Sequence, residues 1–204
     1  MRINDLVILP NISGKEFERL YGLPSSLIPL NGQPVLYQTI LNFIETMDKD
    51  GWIYIGSFRE DTGLVEFIKT TFSSRYNIKI VNLEKNAIKS EIDALFNILV
   101  QIKLDNLQDA QLFLIKEGTF IDFKEIGQFE YLKTIVRGFI GEDKETLAWY
   151  HTSWKSLLAS IQKVKNRETL DLKTFFDNLT SKSVSYKNIK NIINLNNYDF
   201  SRKI

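Results

Sequence analysis

The chain contains no cysteine and a single histidine, His151. Disulfides, thiolate chemistry and multi-histidine metal sites are thereby excluded. A Ser-His-Asp relay would have one possible base. His151 directly follows Trp149 and Tyr150, the setting of a packed residue at a strand end, and geometry decides whether an imidazole there moves protons. The other polar side chains that stand out lie in the loop 11–22, which carries Gly14, Lys15 and Arg19 just after the apolar run Leu6-Val7-Ile8-Leu9. Ser90, with Asp93 three residues on, reads as a capping box with an aspartate variant.

The elements that must position these residues follow from the hydrophobic pattern. Leu6 to Leu9 is a short, fully apolar run closed by Pro10, as expected of a central parallel strand covered on both faces. Asn31-Gly32 predicts a turn, and Pro34 opens a helix whose buried stripe is Leu36, Ile40, Phe43, Ile44 and Met47. Gly51 breaks it. A strand at 52–55, a helix through Leu64, Ile68 and Phe72, and a strand at 78–81 come next. Ile92, Leu95, Phe96, Leu99 and Ile102 then mark the clearest helical face, followed by an apolar strand at 112–115. Alternation of this kind predicts an α/β, Rossmann-like, doubly wound sheet, mixed but mostly parallel, with helices on both faces. After residue 120 the order changes to neighbouring strands at 135–140 and 147–150, expected antiparallel. Helices capped by Ser153 and Asp171 and an extended piece at 192–195 follow.

With 204 residues, 44% hydrophobic and 25% charged, the chain can bury a substantial core. Its net charge of +1 provides no broad positive field for nucleic acid, and Lys182 with Lys187 reads as a solvated edge. The N-terminal apolar run is too short for a signal segment or membrane span, so a cytoplasmic location is expected. No Pro/Gly/Ser-rich linker and no repeat interrupts the chain, which is expected to form one domain over 1–204. An ending without a polar tail fits a domain excised from a longer protein.

The segment Leu23-Pro24-Ser25-Ser26-Leu27-Ile28-Pro29-Leu30-Asn31-Gly32-Gln33-Pro34-Val35-Leu36 resembles the second signature of the sugar-phosphate nucleotidyltransferases, Pro-Lys-x-Leu-[Ile/Leu]-Pro-[Val/Leu]-x-Gly-x-Pro-[Leu/Met]. The order of elements around it agrees, and Ile193 to Tyr198 is similar to a late Trp-x-Asp-[Ile/Phe]-Gly stretch of that family. The resemblance implies a nucleotidyltransferase or GT-A-like fold and a cleft for a nucleotide and a sugar phosphate. It implies Mg²⁺ if the protein is active. Domains of this kind occur in bacterial capsule and surface-polysaccharide proteins, some joined to further catalytic modules, so flanking domains or homo-oligomers are possible partners.

Carried over residue by residue, the resemblance implies nucleotide contacts at Asn11, Ser13, Gly14, Lys15 and Ser90, with Lys15 near the position of the arginine that steadies the pyrophosphate. Arg19 is a less well aligned substitute. Ser25 stands where the family has its sugar-phosphate lysine; a hydroxyl brings a hydrogen bond without the charge that would roughly double its strength. Ser90 reads more simply as a helix cap. The two metal aspartates fall on Gly118 and Asn194, with Glu117 and Asp122 as neighbouring carboxylates.

Four substitutions at glycine or charged positions point to a nucleotidyltransferase-like domain with weak or lost catalysis, kept for binding or scaffolding. Two alternatives stay open. One is an active sugar-1-phosphate nucleotidyltransferase with Lys15, Glu117 and Asp122 in displaced roles. The other is an unrelated Rossmann-like interaction module.

Overall fold

A computed structural model describes residues 4–12, 24–47, 50–72, 75–105, 108–126, 136–141, 145–164, 170–179, 184–190 and 192–195. Its strands are β1 (Asn4–Leu9), β2 (Pro29–Leu30), β3 (Gln33–Pro34), β4 (Ile53–Phe58), β5 (Ile78–Leu83), β6 (Gln111–Lys116), β7 (Thr119–Ile121), β8 (Val136–Ile140), β9 (Thr146–His151), β10 (Val184–Asn188) and β11 (Ile192–Asn194). Its helices are here numbered α1 (Val35–Thr46), α2 (Thr62–Phe72), α3 (Glu91–Asp105), α4 (Phe123–Ile126), α5 (Trp154–Gln162) and α6 (Leu172–Asn178).

Seven strands form one sheet in the order β10-β8-β9-β6-β1-β4-β5. Neighbours are parallel except where β9 meets β6 and β8. The sheet is therefore mixed and mostly parallel, as the alternation of elements predicts. Successive side chains of β1 go to opposite faces. Val7 and Leu9 join Leu112, Leu114 and Trp149 under α3, α5 and α6. Leu6 and Ile8 join Phe113 and Ile115 under α1, α2 and α4. That two-sided burial is why β1 and β6 read as continuous apolar runs.

Local chemistry sets the boundaries. Asn31 and Gly32 both take positive φ, 52° and 83°, the primed turn that an Asn-Gly pair favours, joining β2 to β3. Pro34 lies at the N-cap of α1 rather than inside its first turn, and the helix ends at Thr46, before Gly51. Ser153 Oγ accepts from Ser156 N–H at 3.1 Å, and Asp171 Oδ1 from Thr174 N–H at 2.8 Å. These are the caps expected of α5 and α6.

Two strands of these sheets went unread in the sequence pattern: β7, pairing antiparallel with the expected piece β11, and β10, which adds to the edge of the main sheet beside β8. Lys187, on β10, is not a solvated edge residue. Its Nζ donates to the carbonyls of Glu125 and Ile126 at 3.0 and 3.2 Å, closing the end of α4 in the way cations favour. Lys182 lies outside the described residues. Among those residues, no helix is long and apolar enough to cross a membrane.

Candidate functional site

From β1 the sheet grows outward to β4 and β5, whereas β6 is laid down on the other side of β1. The strand order therefore reverses between β1 and β6, and in open α/β sheets ligands bind outside the carboxyl ends of the strands at such a point. Two turns meet there. Pro10 and Asn11 leave β1, and Glu117 and Gly118 leave β6, with Glu117 N–H donating to Leu9 O at 2.7 Å.

Helix α1 holds the surrounding loops through one polar face. Gln38 Nε2 donates to the carbonyls of Leu30 and Gln33, fastening the β2–β3 hairpin. Thr39 Oγ1 donates to Thr119 O at 3.2 Å, and Asn42 Oδ1 accepts from Phe123 N–H at 2.8 Å. Beneath them Phe43, Phe113 and Phe123 pack edge to face with centroids 5.3–6.1 Å apart, each pair adding about 1 kcal/mol beyond its buried area. The signature segment and the β6–β7 turn are thus fixed to one helix.

Glu117 is buried, 8% exposed. Its Oε1 accepts from Ser26 Oγ at 2.7 Å and its Oε2 from Asn11 N–H at 3.1 Å. The carboxylate considered as a displaced metal ligand thus joins the loop after β1 to the signature turn. Asp122, the other such candidate, turns toward α1 and α4: its Oδ1 accepts from Lys124 N–H at 3.0 Å and lies 3.5 Å from Asn42 Nδ2.

The two positions aligned with metal aspartates are brought together. Asn194 pairs with Thr119 across the β11–β7 ladder, and Leu195 N–H donates to Gly118 O at 2.9 Å. Gly118 has φ of 75°, a conformation that favours glycine over any side chain. Asn194 Nδ2 lies 3.4 Å from Glu145 Oε2. Next to them Lys116 Nζ stands 2.8 Å from Glu91 Oε1 and 4.0 Å from Glu145 Oε1, and 5.8 Å above the Trp149 ring. Glu91 Oε2 also accepts Leu172 N–H at 3.2 Å.

A Mg²⁺ ion in such a cleft takes one or two carboxylates together with substrate phosphates. Gly118 offers no side chain and Asn194 only a neutral amide, while the carboxylates of Glu91 and Glu145 surround an ammonium. Among the described residues, no three His, Cys, Asp or Glu side chains are grouped to hold a metal. The donors among the described residues do not fit that ion.

Ser25 lies in the 3₁₀ turn Ser25–Leu27 and is 4% exposed; its Oγ meets no hydrogen-bond partner among the described residues. Ser90 caps α3, its Oγ accepting from Asp93 N–H at 3.1 Å. Ser13, Gly14, Lys15 and Arg19 lie outside the described residues.

His151 closes β9 opposite Leu112, at the other end of β6 from Glu117. It is 1% exposed, and its Nδ1 accepts Ser153 N–H at 3.1 Å. Burial holds its pKa down at about 4, against weaker opposing effects of that hydrogen bond and Asp109. Ser153 Oγ donates to Asp109 Oδ2 at 2.6 Å, so serine, histidine and aspartate are not arranged as a relay.

Sequence reasoning missed Lys116, Glu91, Glu145 and Ser26. The one signal was a charge ending an otherwise apolar strand at Lys116; its partners come from distant segments.

No protein-family model matches the chain, and no curated protein matches it by sequence. Solved structures do match by shape. A nucleoside-diphosphate-sugar pyrophosphorylase from Vibrio cholerae superposes with a TM-score of 0.66 at 12% identity, over 94% of this chain and 95% of the other. The inositol-1-phosphate CTP transferase from T. maritima gives 0.69 at 11%, over 95% and 87%. A manganese complex of Rv0371C from Mycobacterium tuberculosis gives 0.58 at 11%, over 98% and 95%. What these likenesses carry is architecture: the chain has the nucleotidyltransferase fold.

Proposed function

We propose that the chain is a nucleotidyltransferase-fold domain that has kept a cleft for a nucleotide or sugar phosphate and serves in binding or scaffolding, with transferase chemistry weak or lost. It would belong to a protein of sugar-nucleotide or polysaccharide metabolism. One observation carries the reading: Gly118 and Asn194 lie close together where β7 meets β11, Asn194 pairing with Thr119 and Gly118 O accepting Leu195 N–H, and neither brings a carboxylate. In-line attack on a nucleotide α-phosphorus needs its developing charge neutralised and its oxygens positioned. Among the described residues the positive charge beside this spot is Lys116, already shared with Glu91 and Glu145. Architecture shared with pyrophosphorylase and CTP transferase structures supports the choice of ligand class.

Pyrophosphate release from CTP, UTP, GTP or dTTP, with Mg²⁺ and a panel of sugar 1-phosphates, is expected to stay at the protein-free background. Robust turnover that disappears on replacing Gly14 or Lys15 would overturn the reading. Calorimetric titration with the same nucleotides separates a binding role, which gives saturable heat, from a purely scaffolding one.

A further inference from the structure

Two carboxylates are buried among the described residues, Asp5 and Glu117. Asp5 sits near the amino end of β1, where it accepts Trp52 N–H at 2.9 Å. Only Glu117 lies at the switch point, and its two oxygens are received separately. Oε2 takes a backbone N–H, from Asn11, and Oε1 takes a hydroxyl, from Ser26. A backbone N–H and a hydroxyl converging on a pair of anionic oxygens, beyond the carboxyl ends of parallel strands, is how α/β proteins hold the phosphate or carboxylate of a ligand. A buried anion is tolerable only where such donors replace its hydration, and hydrogen bonds to a charged acceptor are the strong ones. The donors suit a bound oxyanion; here the oxyanion is covalently part of the chain. Ser25, next to Ser26 in the same turn, keeps a buried hydroxyl without a partner among the described residues, so the turn has a donor in reserve.

We propose that Asn11 N–H and Ser26 Oγ form an oxyanion site that the chain occupies with its own Glu117 carboxylate, and that a free oxyanion binds there once that side chain is shortened. In the intact protein Glu117 ties the loop after β1 to the signature turn and keeps a ligand's phosphate off these two donors. The proposal needs only the donor geometry, so it stands whether or not nucleotides bind elsewhere in the cleft.

Glu117→Ala removes the carboxymethyl group, which matches acetate in size. The test compares wild type and Glu117→Ala by thermal unfolding in sodium acetate, sodium phosphate and sodium chloride at equal ionic strength. The variant is expected to melt lower in chloride and to recover in acetate or phosphate, saturably in the millimolar range, while wild type changes little. Glu117→Gln fills the same space with a neutral group and is expected to show no such recovery. A second change, Ser26→Ala, should weaken the anion effect in Glu117→Ala several-fold. Recovery equal in all three salts, recovery in none, an equal shift in wild type, or full recovery in Glu117→Gln would each overturn the proposal. If Glu117→Ala is obtained only unfolded, the three salts are compared in refolding. Folded protein with acetate or phosphate alone supports the site; equal yields, or none, overturn it.

Discussion

Replacing Lys116 with methionine tests whether its ammonium organises the cleft. Methionine keeps most of the apolar stem that lies over Trp149 and removes the charge. Lys116 Nζ is 2.8 Å from Glu91 Oε1 and 4.0 Å from Glu145 Oε1. At an effective dielectric near 20 these pairs are worth roughly 6 and 4 kcal/mol of gross attraction, most of which desolvation and solvent screening cancel. The lysine side chain is 25% exposed, and the glutamates are 22% and 36% exposed. The pairs thus fall between surface ion pairs, worth about 0–1 kcal/mol, and buried ones, whose breakage costs about 3–5 kcal/mol. A loss of about 2 kcal/mol is expected, which for a chain of this size lowers the melting temperature by about 4–8 °C. Denaturant unfolding should show a lower midpoint at an unchanged m-value. A double-mutant cycle with Glu91→Gln should return a coupling of about 1 kcal/mol. A variant within about 0.5 kcal/mol of wild type, or a cycle with no coupling, would show that the ammonium is an incidental surface charge.

Two further outcomes follow from buried geometry. His151 has a folded pKa of about 4 against its ordinary 6.5, so the unfolded chain binds the proton more readily. Its contribution to stability is complete above pH 6.5 and is lost as pH falls from there toward 4, by up to about 3 kcal/mol; in urea titrations at several pH values, His151→Gln should lose that part of the slope. At Gly56, a Cβ would stand 2.8 Å from Ile98 Cδ1, 2.9 Å from Pro10 Cδ and 3.2 Å from Leu83 Cδ1. The isoleucine end can yield but the proline ring cannot, so Gly56→Ala should cost about 1–3 kcal/mol by overpacking. A thermal melt equal to wild type would refute that packing.

The architecture was legible where both faces of an element are buried or where turn chemistry is specific. Leu6 to Leu9 and Leu112 to Ile115 read as covered strands and Asn31-Gly32 as a turn, and each is found so. β10 escaped because Val184-Ser185-Tyr186-Lys187-Asn188 is an edge strand with few apolar residues. Its Tyr186 covers Gly138 on β8 instead, 2.5 Å from where a Cβ would be. The candidate site was half legible. Ser25, Gly118 and Asn194 were reached by position along the chain, but the Glu91–Lys116–Glu145 cluster joins three segments far apart in sequence. Nothing in the chain order signals that closure.

Lys116 and Glu117 are consecutive, yet one meets carboxylates beside α3 and β9 while the other meets donors from the loop after β1 and the signature turn. The end of β6 thus carries a cation and an anion that are each matched within the chain. A cleft built that way is stable without ligand, since neither charge waits for a metal or a phosphate. It also resists simple repair. An aspartate at 194 would stand where Asn194 now lies 3.4 Å from Glu145 Oε2, placing like charges together. Any side chain at 118 would have to adopt a φ near 75°, which costs about 1 kcal/mol or more for residues other than glycine. Restoring two carboxylates here therefore carries both a repulsion from Glu145 and a backbone cost at Gly118.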